Sequence, residues 1–170
     1  VRMMGEAFKY AAPLAAAAGV PIHEVAAALG VLGNNGIKAT VAGTDLAGMF
    51  KTLASGTGMN KFKSLGIDIA TADGKLRPMV DLMRDFGAAT SSMTDVDRLA
   101  KADEIFGRYA KSALILSSQT GSLASLTNQI ENSEGAAAKM AATMQTGFGA
   151  RLKGMLSAIQ AVAIEIGEAF

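Results

Sequence analysis

Apolar residues recur at i, i+3, i+4 and i+7 along most of the chain, and this spacing predicts a mainly α-helical protein. The first apolar series runs from Met4 to Ala18 and contains Pro13, which predicts a kink or a restart of that helix. A second helix is predicted from Pro21 to a turn over residues 33–36. Its predicted buried stripe consists of Ile22, Val25, Ala26, Leu29 and Leu32. These two elements form an antiparallel helical hairpin.

One stretch, from Leu65 to Phe86, departs from the helical pattern that surrounds it. It follows a predicted third helix over residues 40–54 and a short fourth helix that begins after a Gly-rich loop. Ile67 and Ile69 alternate with other residues as in an extended segment, and Asp73-Gly74 is a typical turn pair. The pattern predicts one small β-hairpin over residues 67–77, followed by a helix that starts at Pro78.

The second half of the chain is predicted to be helical after a small polar linker over residues 87–92. Thr94 is a predicted N-cap, with Asp95 and Asp97 in the first helical turn. The predicted buried stripe of that helix consists of Val96, Leu99 and Ala100. Two shorter helices are then predicted, one through residues 109–116 and one through 123–130.

A long C-terminal helix is predicted after Asn132-Ser133, and its apolar residues follow a spacing of 4, 4, 4, 3, 4, 3, 4. These residues are Met140, Met144, Phe148, Leu152, Met155, Ile159, Val162 and Ile166. From Phe148 onward the pattern is heptad-like, which favours self-association into a homo-oligomer. Packing of the same helix on its own domain is the alternative, because three heptads are the minimum for a coiled coil. Gly147, Gly149 and Gly154 each weaken that helix by about 1 kcal/mol relative to Ala.

The chain is expected to divide into residues 1–90, with helical hairpins and the β-hairpin, and residues 91–170, with C-terminal helices. Val1 begins inside a helical pattern and Phe170 ends one without a stop signal. We therefore expect a fragment of a longer protein.

Composition limits the core and the possible chemistry. Half of the residues are hydrophobic but only 5% are aromatic, so the core must consist of Ala, Leu, Ile, Val and Met, and its stability should be modest. The balance of 16 Lys plus Arg against 15 Asp plus Glu gives no field for gathering nucleic acid. The absence of Cys excludes disulfides and thiolate metal sites.

Three short motifs are candidates for a catalytic, a phosphate-binding or a calcium-binding site. His23 stands beside Glu24 at a helix start and has no accompanying nucleophile in the sequence, so an exposed structural residue is favoured. The loop over residues 55–61 resembles a phosphate loop superficially, but it lacks the glycine before Lys61 and follows a helix. Asp68 and Asp73-Gly74 do not have the ligand positions of an EF-hand.

Charged residues and methionines also favour structural roles. Asp95, Asp97, Asp103 and Glu104 alternate with basic residues at helical spacing, as on a solvated face with ion pairs. The ten methionines occur at helical spacing, which is typical of core. The four basic residues Lys61, Lys63, Arg151 and Lys153 are too few for a nucleic-acid groove. The sequence thus predicts no catalytic, metal or cofactor-binding residues, and no enzyme.

Several longer motifs carry a resemblance to a known family. The stretches GVPIHEVAAALGVLGNNGIK, AGTDL and LGIDIATADGKLRPMVDLM, with IFGRYAKSAL, NSEGAAAKMAATM and IEIGE, resemble the core region of phage tail tape measure proteins. The resemblance spans nearly the whole chain, with Pro21 where Ser is common and SGTGMN in place of a Pro-containing connection.

The resemblance implies a structural virion protein. Such a protein lies in the lumen of the tail, determines tail length while tube subunits polymerise around it, and leaves with the DNA at infection. It implies tail tube protein, tail assembly chaperones and baseplate hub proteins as partners, and the host cytoplasm as the location during assembly. No cofactor is implied.

Two alternative functions stay open on the sequence. The C-terminal part, residues 140–170, could be a membrane-active segment that aids genome delivery through the host envelope. The chain could instead be a non-catalytic part of a virion peptidoglycan hydrolase, because some full-length tape measure proteins carry such domains.

Overall fold

A computed structural model of the chain describes residues 2–133, apart from the side chains of residues 2–4. This range is mainly α-helical, which confirms the predicted fold class. The helices are α1 (Arg2–Ala17), α2 (Ile22–Asn34), α3 (Ala39–Leu53), α4 (Gly56–Ser64), α5 (Met79–Ala89), α6 (Asp95–Phe106), α7 (Ala110–Ser118) and α8 (Thr120–Asn132). A 3₁₀ turn over Gly107–Tyr109 joins α6 to α7. The predicted long C-terminal helix, with its glycines and its apolar stripe, lies outside the described residues.

Helix α1 runs through Pro13, so of the predicted kink or restart, the restart does not occur. Pro13 is exposed, whereas Ala11 and Ala15 on the opposite side of the helix are buried. The buried alanines hold both halves of α1 on the core, although Pro13 cannot donate a backbone hydrogen bond. The helix ends before Gly19, whose φ of +72° turns the chain toward α2.

Helix α2 lies at the centre of the domain and packs against α1, α3, α7 and α8. Four of the five residues of its predicted stripe are buried, and Ile22 is half-buried. The remaining core-facing residues of α2 were not in that stripe. They are Glu24, Ala27, Ala28 and Val31. A helix that is apolar on nearly all sides is a buried helix, and α2 fits that rule.

Helices α1 and α3 touch at backbone distance. A Cβ atom added to Gly43 of α3 would lie 2.2 Å from the carbonyl oxygen of Ala7 in α1. A Cβ atom added to Gly48 would lie 2.1 Å from the ring of Tyr109, which packs over that glycine. The two glycines therefore set how closely α3 approaches its neighbours.

Three phenylalanines form an aromatic cluster that ties α4, α5 and α6 together. The ring centroids of Phe62, Phe86 and Phe106 are 5.7 to 6.0 Å apart, and Phe106 meets both other rings edge to face. All three side chains are buried. Described residues on both sides of the predicted boundary at residue 90 thus share one core, and the division of the chain into two parts stays a prediction.

The predicted β-hairpin over residues 67–77 is wrong. The described residues contain no strand, and this loop has a single antiparallel bridge between Ala70 and Leu76. The turn itself is as expected, since Gly74 has a φ of +79°. The backbone N–H of Arg77 still donates to the carbonyl of Ile69 at 2.9 Å, and the pairing ends at Pro78, which has no N–H and leads into α5. Ile67 and Ile69 instead pack into the helical core.

The predicted buried stripe of α6 is also wrong. Val96 is 77% exposed and Leu99 is 55% exposed, and Ala100 is exposed as well. The buried residues of α6 are Ala102, Ile105 and Phe106, at its carboxyl end. Phe106 is fixed in the aromatic cluster, and this contact sets which side of α6 faces the core.

We expect Gly43→Ala to lower the free energy of unfolding by about 1 to 3 kcal/mol, the usual cost of overpacking. The new Cβ atom would press on the backbone of α1, which cannot move away without repacking the core. Thermal unfolding followed by circular dichroism measures the change.

The matched control is Gly33→Ala in α2, where an added Cβ atom meets nothing within 4 Å. This variant should be neutral or stabilised, since Ala is the better helix former. Equal destabilisation by both substitutions would contradict the close packing of α1 and α3.

Candidate functional site

His23 is half-buried in the first turn of α2, whereas the sequence favoured an exposed position. Between residues 2 and 133, no group of three or more His, Cys, Asp or Glu residues is placed to hold a metal ion.

The glycine-rich loop over residues 55–61 is the start of α4. The hydroxyl of Ser55 accepts a hydrogen bond from the backbone N–H of Gly58 at 3.0 Å and so caps the helix. Lys61 donates to the backbone carbonyl of Glu104 at 2.5 Å, which links α4 to α6. Lys61, the lysine that a phosphate site would need, instead forms a hydrogen bond between two helices.

The polar groups of the loop between α4 and α5 stabilise the loop itself. Thr71 donates to the carboxylate of Asp73, and this hydrogen bond lowers the pKa of Asp73. Arg77 donates to the backbone carbonyl of Asp68 and pairs with Asp85 at 2.8 Å. This loop is a structural turn that closes against α5.

The acidic residues of α6 lie on a solvated face with ion pairs. Arg98 lies 3.4 Å from Asp95, and Lys101 lies 2.6 Å from Glu104. The hydrogen bond from Lys101 lowers the pKa of Glu104. Thr94 caps the helix, as its hydroxyl accepts from the N–H of Asp97 at 3.2 Å.

The remaining candidate residues are divided between core and surface. Met49, Met79 and Met83 are buried, whereas Met59 is 41% exposed. Lys63 is exposed on α4, and Arg151 and Lys153 lie outside the described residues.

A buried carboxylate that the sequence reasoning missed joins two distant helices. Glu24 of α2 is only 7% exposed and accepts a hydrogen bond from the backbone N–H of Met79 at 2.7 Å. Met79 is the first residue of α5, and its N-cap Pro78 offers no side-chain cap. Glu24 therefore caps a helix that lies 55 residues away in the chain.

The proline before α2 explains why Glu24 is free to do this. Glu24 stands three residues after the N-cap Pro21, which is the glutamate position of a capping box. A proline has no N–H, so this glutamate cannot cap its own helix. The sequence signal was an acid three residues after each of two helix-start prolines, Glu24 after Pro21 and Asp81 after Pro78.

Burial raises the pKa of Glu24 above its ordinary value. The hydrogen bond from Met79 and the neighbouring His23 oppose this rise, and the charges of Asp81 and Glu131 add to it. Ionisation of the buried carboxylate therefore costs desolvation free energy. The carboxylate oxygen, however, accepts the hydrogen bond of the buried N–H of Met79.

A second, partly buried polar contact joins α3 to α7. The hydroxyl of Ser112, which is fully buried, donates to the carboxylate of Asp45 at 2.6 Å. Both interhelical carboxylates thus position helices, and neither belongs to a group of three or more metal-ligating residue types in the described range.

Within residues 2–133, none of the helices combines the length and the apolar character needed to cross a bilayer.

The described residues define a helical structural domain whose conspicuous polar groups hold helices together. Comparison with known proteins gives the family of the chain. The family model described as phage-related minor tail protein matches residues 1–107, and the chain belongs to this family.

Two curated relatives are named as tape measure proteins. The chain is 32% identical over 165 residues to the tape measure protein of Pneumococcus phage Dp-1 and 32% identical over 174 residues to the probable tape measure protein of Escherichia phage P2. These alignments cover 95% and 96% of the chain but only 14% and 21% of the relatives. No solved structure gives a significant match.

We expect Glu24→Ala to lower the free energy of unfolding by about 1 to 3 kcal/mol, because the N–H of Met79 would be buried without a partner. Glu24→Gln keeps an acceptor oxygen and carries no charge, so it should be at least as stable as the parent at neutral pH. Chemical denaturation of the three proteins measures the difference.

The contribution of Glu24 to the free energy of unfolding depends on pH with a defined sign. The folded state holds the Glu24 proton more tightly than the unfolded state, so the stability from this group is greatest below pH 4.5 and falls as pH rises through the higher folded-state pKa. Glu24→Gln should remove this fall, whereas Asp68→Asn, at an exposed carboxylate, should not. An unchanged pH profile in Glu24→Gln would contradict the buried position of Glu24.

Proposed function

We propose that the chain is a non-enzymatic segment of a tail tape measure protein, which determines tail length and templates the tail tube from within its lumen. The observation that carries the proposal is the similarity to two tape measure proteins over 95% or more of the chain. The proposal includes departure of the protein with the DNA at infection. It also includes contacts with tail tube protein, assembly chaperones and baseplate hub proteins.

A ruler must be extended, and residues 2–133 are folded around one core. A packed unit of this size has a radius of gyration of about 14 Å, whereas the same residues in one straight helix would span about 200 Å. We propose that the segment folds before assembly and is drawn out inside the tube.

The composition of the core supports this change from a folded to an extended segment. Many of its buried side chains are alanine, including Ala7, Ala11 and the run Ala26–Ala28. Each buried alanine removes little apolar area from water, so the packing free energy lost on extension is small. The helices themselves keep their internal hydrogen bonds when the core opens.

Deletion and duplication of this segment in a phage that carries it test the proposal together. In-frame deletion of the 170 residues should shorten tails by about 250 Å, at 1.5 Å of rise per residue in a helix. Tandem duplication should lengthen them by the same amount. Tail lengths are measured by electron microscopy of purified virions.

The duplication is the control for a general assembly defect, since a defect removes tails but does not lengthen them. Tails of unchanged length in both phages would show that this segment lies outside the ruler.

A further inference from the structure

A groove between α6 and α7 leaves apolar surface exposed in the described range. It has a volume of about 670 Å³ and is lined by Leu99 of α6 and by Leu114 and Ile115 of α7. Val96 lies on the same side of α6, one turn before Leu99. Val96 and Leu99 are the most exposed large hydrophobic side chains that the structure describes, and exposed apolar surface of this kind marks an interaction site.

The exposed side of α6 forms a ridge beside this groove. Val96, Leu99 and Asp103 stand at i, i+3 and i+7, so they lie on one face of the helix, and all three are exposed. We call these three residues the α6 ridge. Asp103 has no ion-pair partner among residues 2–133. The ridge is thus apolar at its start and carries an available negative charge at its end.

The α7 wall of the groove carries the complementary pattern in the opposite direction. Lys111 and Ile115 stand at i and i+4, and both line the groove. Lys111 is exposed and forms no ion pair within the part of the chain that the structure describes. Asp95 and Arg98 also line the groove, but they pair with each other at 3.4 Å. The wall therefore has an available positive charge one turn before its apolar residues.

The ridge and the wall match when α6 of one copy lies antiparallel to α7 of a second copy. Leu99 and Asp103 are four residues apart, as are Lys111 and Ile115, and four residues rise about 6 Å along a helix. When Leu99 contacts Ile115 of the second copy, Asp103 therefore reaches Lys111 of that copy. A two-fold axis repeats this contact, because each copy presents one ridge and one groove.

Charge complementarity favours a second copy as the occupant of the groove. Each copy supplies one acid and one base at matching positions, so a symmetric pair neutralises both charges of both copies. Opposite charges at the ends of an apolar contact also fix its register, since a shifted or parallel placement brings an apolar side chain against a charge.

We propose that the chain forms a two-fold dimer in which the α6 ridge of each copy docks into the α6–α7 groove of the other. The dimer buries Val96 and Leu99 of both copies and pairs each Asp103 with the opposite Lys111. One ridge and one groove from each copy make a small interface, so we expect a weak dimer that depends on concentration. The proposal does not depend on the role of the segment in tail length.

Sedimentation equilibrium of the 170-residue chain at micromolar to millimolar concentrations tests the proposal. Leu99→Asp should raise the Kd of the dimer at least about tenfold, because a charge would enter the centre of the interface. The control Val41→Asp on α3, at a position that is 46% exposed, should leave the Kd unchanged. Both residues are exposed in the described domain, so the helical content of each variant should match the parent by circular dichroism.

A parent chain that stays monomeric at about 1 mM would overturn the proposal, since a Kd above that value corresponds to less than about 4 kcal/mol of binding free energy. A dimer that Leu99→Asp does not weaken would also overturn it, because the copies would then meet through another surface.

Exchange of the two charges tests the antiparallel register. Asp103→Lys and Lys111→Asp, each in its own chain, should both weaken the dimer, because like charges then meet twice. A mixture of the two variants should form a mixed dimer at least about tenfold tighter than either variant alone, since both contacts again join opposite charges. Energy transfer between differently labelled chains measures the mixed dimer.

The control pair for this experiment is Asp68→Lys and Lys63→Asp, which makes the same changes in net charge at exposed positions on or near α4. Each control variant should dimerise like the parent, and their mixture should show no such gain. Equal gains in the two mixtures would overturn the proposed register, because net charge alone would then explain the mixed dimer.

Discussion

Close approach between helices is the constraint on which this domain depends. With few aromatic residues, the core cannot be filled by large side chains, so the helix backbones themselves must come close. The contact of Gly43 with Ala7 and the packing of Tyr109 over Gly48 show how near they come. The dispersion energy of each contact is small, and the density of contacts replaces the missing side-chain volume.

The central position of α2 follows from that constraint. Only a helix with small side chains on several faces can be surrounded by four others, and Ala26, Ala27 and Ala28 provide those faces. The aromatic cluster of Phe62, Phe86 and Phe106 groups three of the buried phenylalanines, while Phe8 of α1 and Phe50 of α3 are buried outside it. Small and large side chains thus share one core.

Buried polar contacts fix how distant parts of this core meet. Packing of alanines on alanines has little directional preference, whereas a hydrogen bond has a defined geometry. Glu24 joins the start of α5 to α2, and Asp45 joins α3 to Ser112 of α7. These contacts make the arrangement of helices specific, and the cost of burying Glu24 keeps the gain in stability small.

The sequence by itself determined what depends on neighbours in the chain. Helical spacing gave the mainly α fold, Thr94 and Ser55 act as caps at helix starts, and Asp73-Gly74 forms a turn. The motifs also indicated the family, which the comparisons confirmed. Spacing, caps and turns depend on residues that are close in the sequence, and the family is indicated by the sequence motifs themselves.

Only the tertiary structure decided what depends on distant residues. The face of α6 that enters the core is set by the place of Phe106 in the aromatic cluster, so Leu99 is exposed despite its apolar character. Ile67 and Ile69 are buried in the helical core, and the return arm pairs only briefly before Pro78. Glu24 caps α5 only because folding brings together two residues that are 55 positions apart in the sequence. Periodicity along the chain does not indicate such a contact.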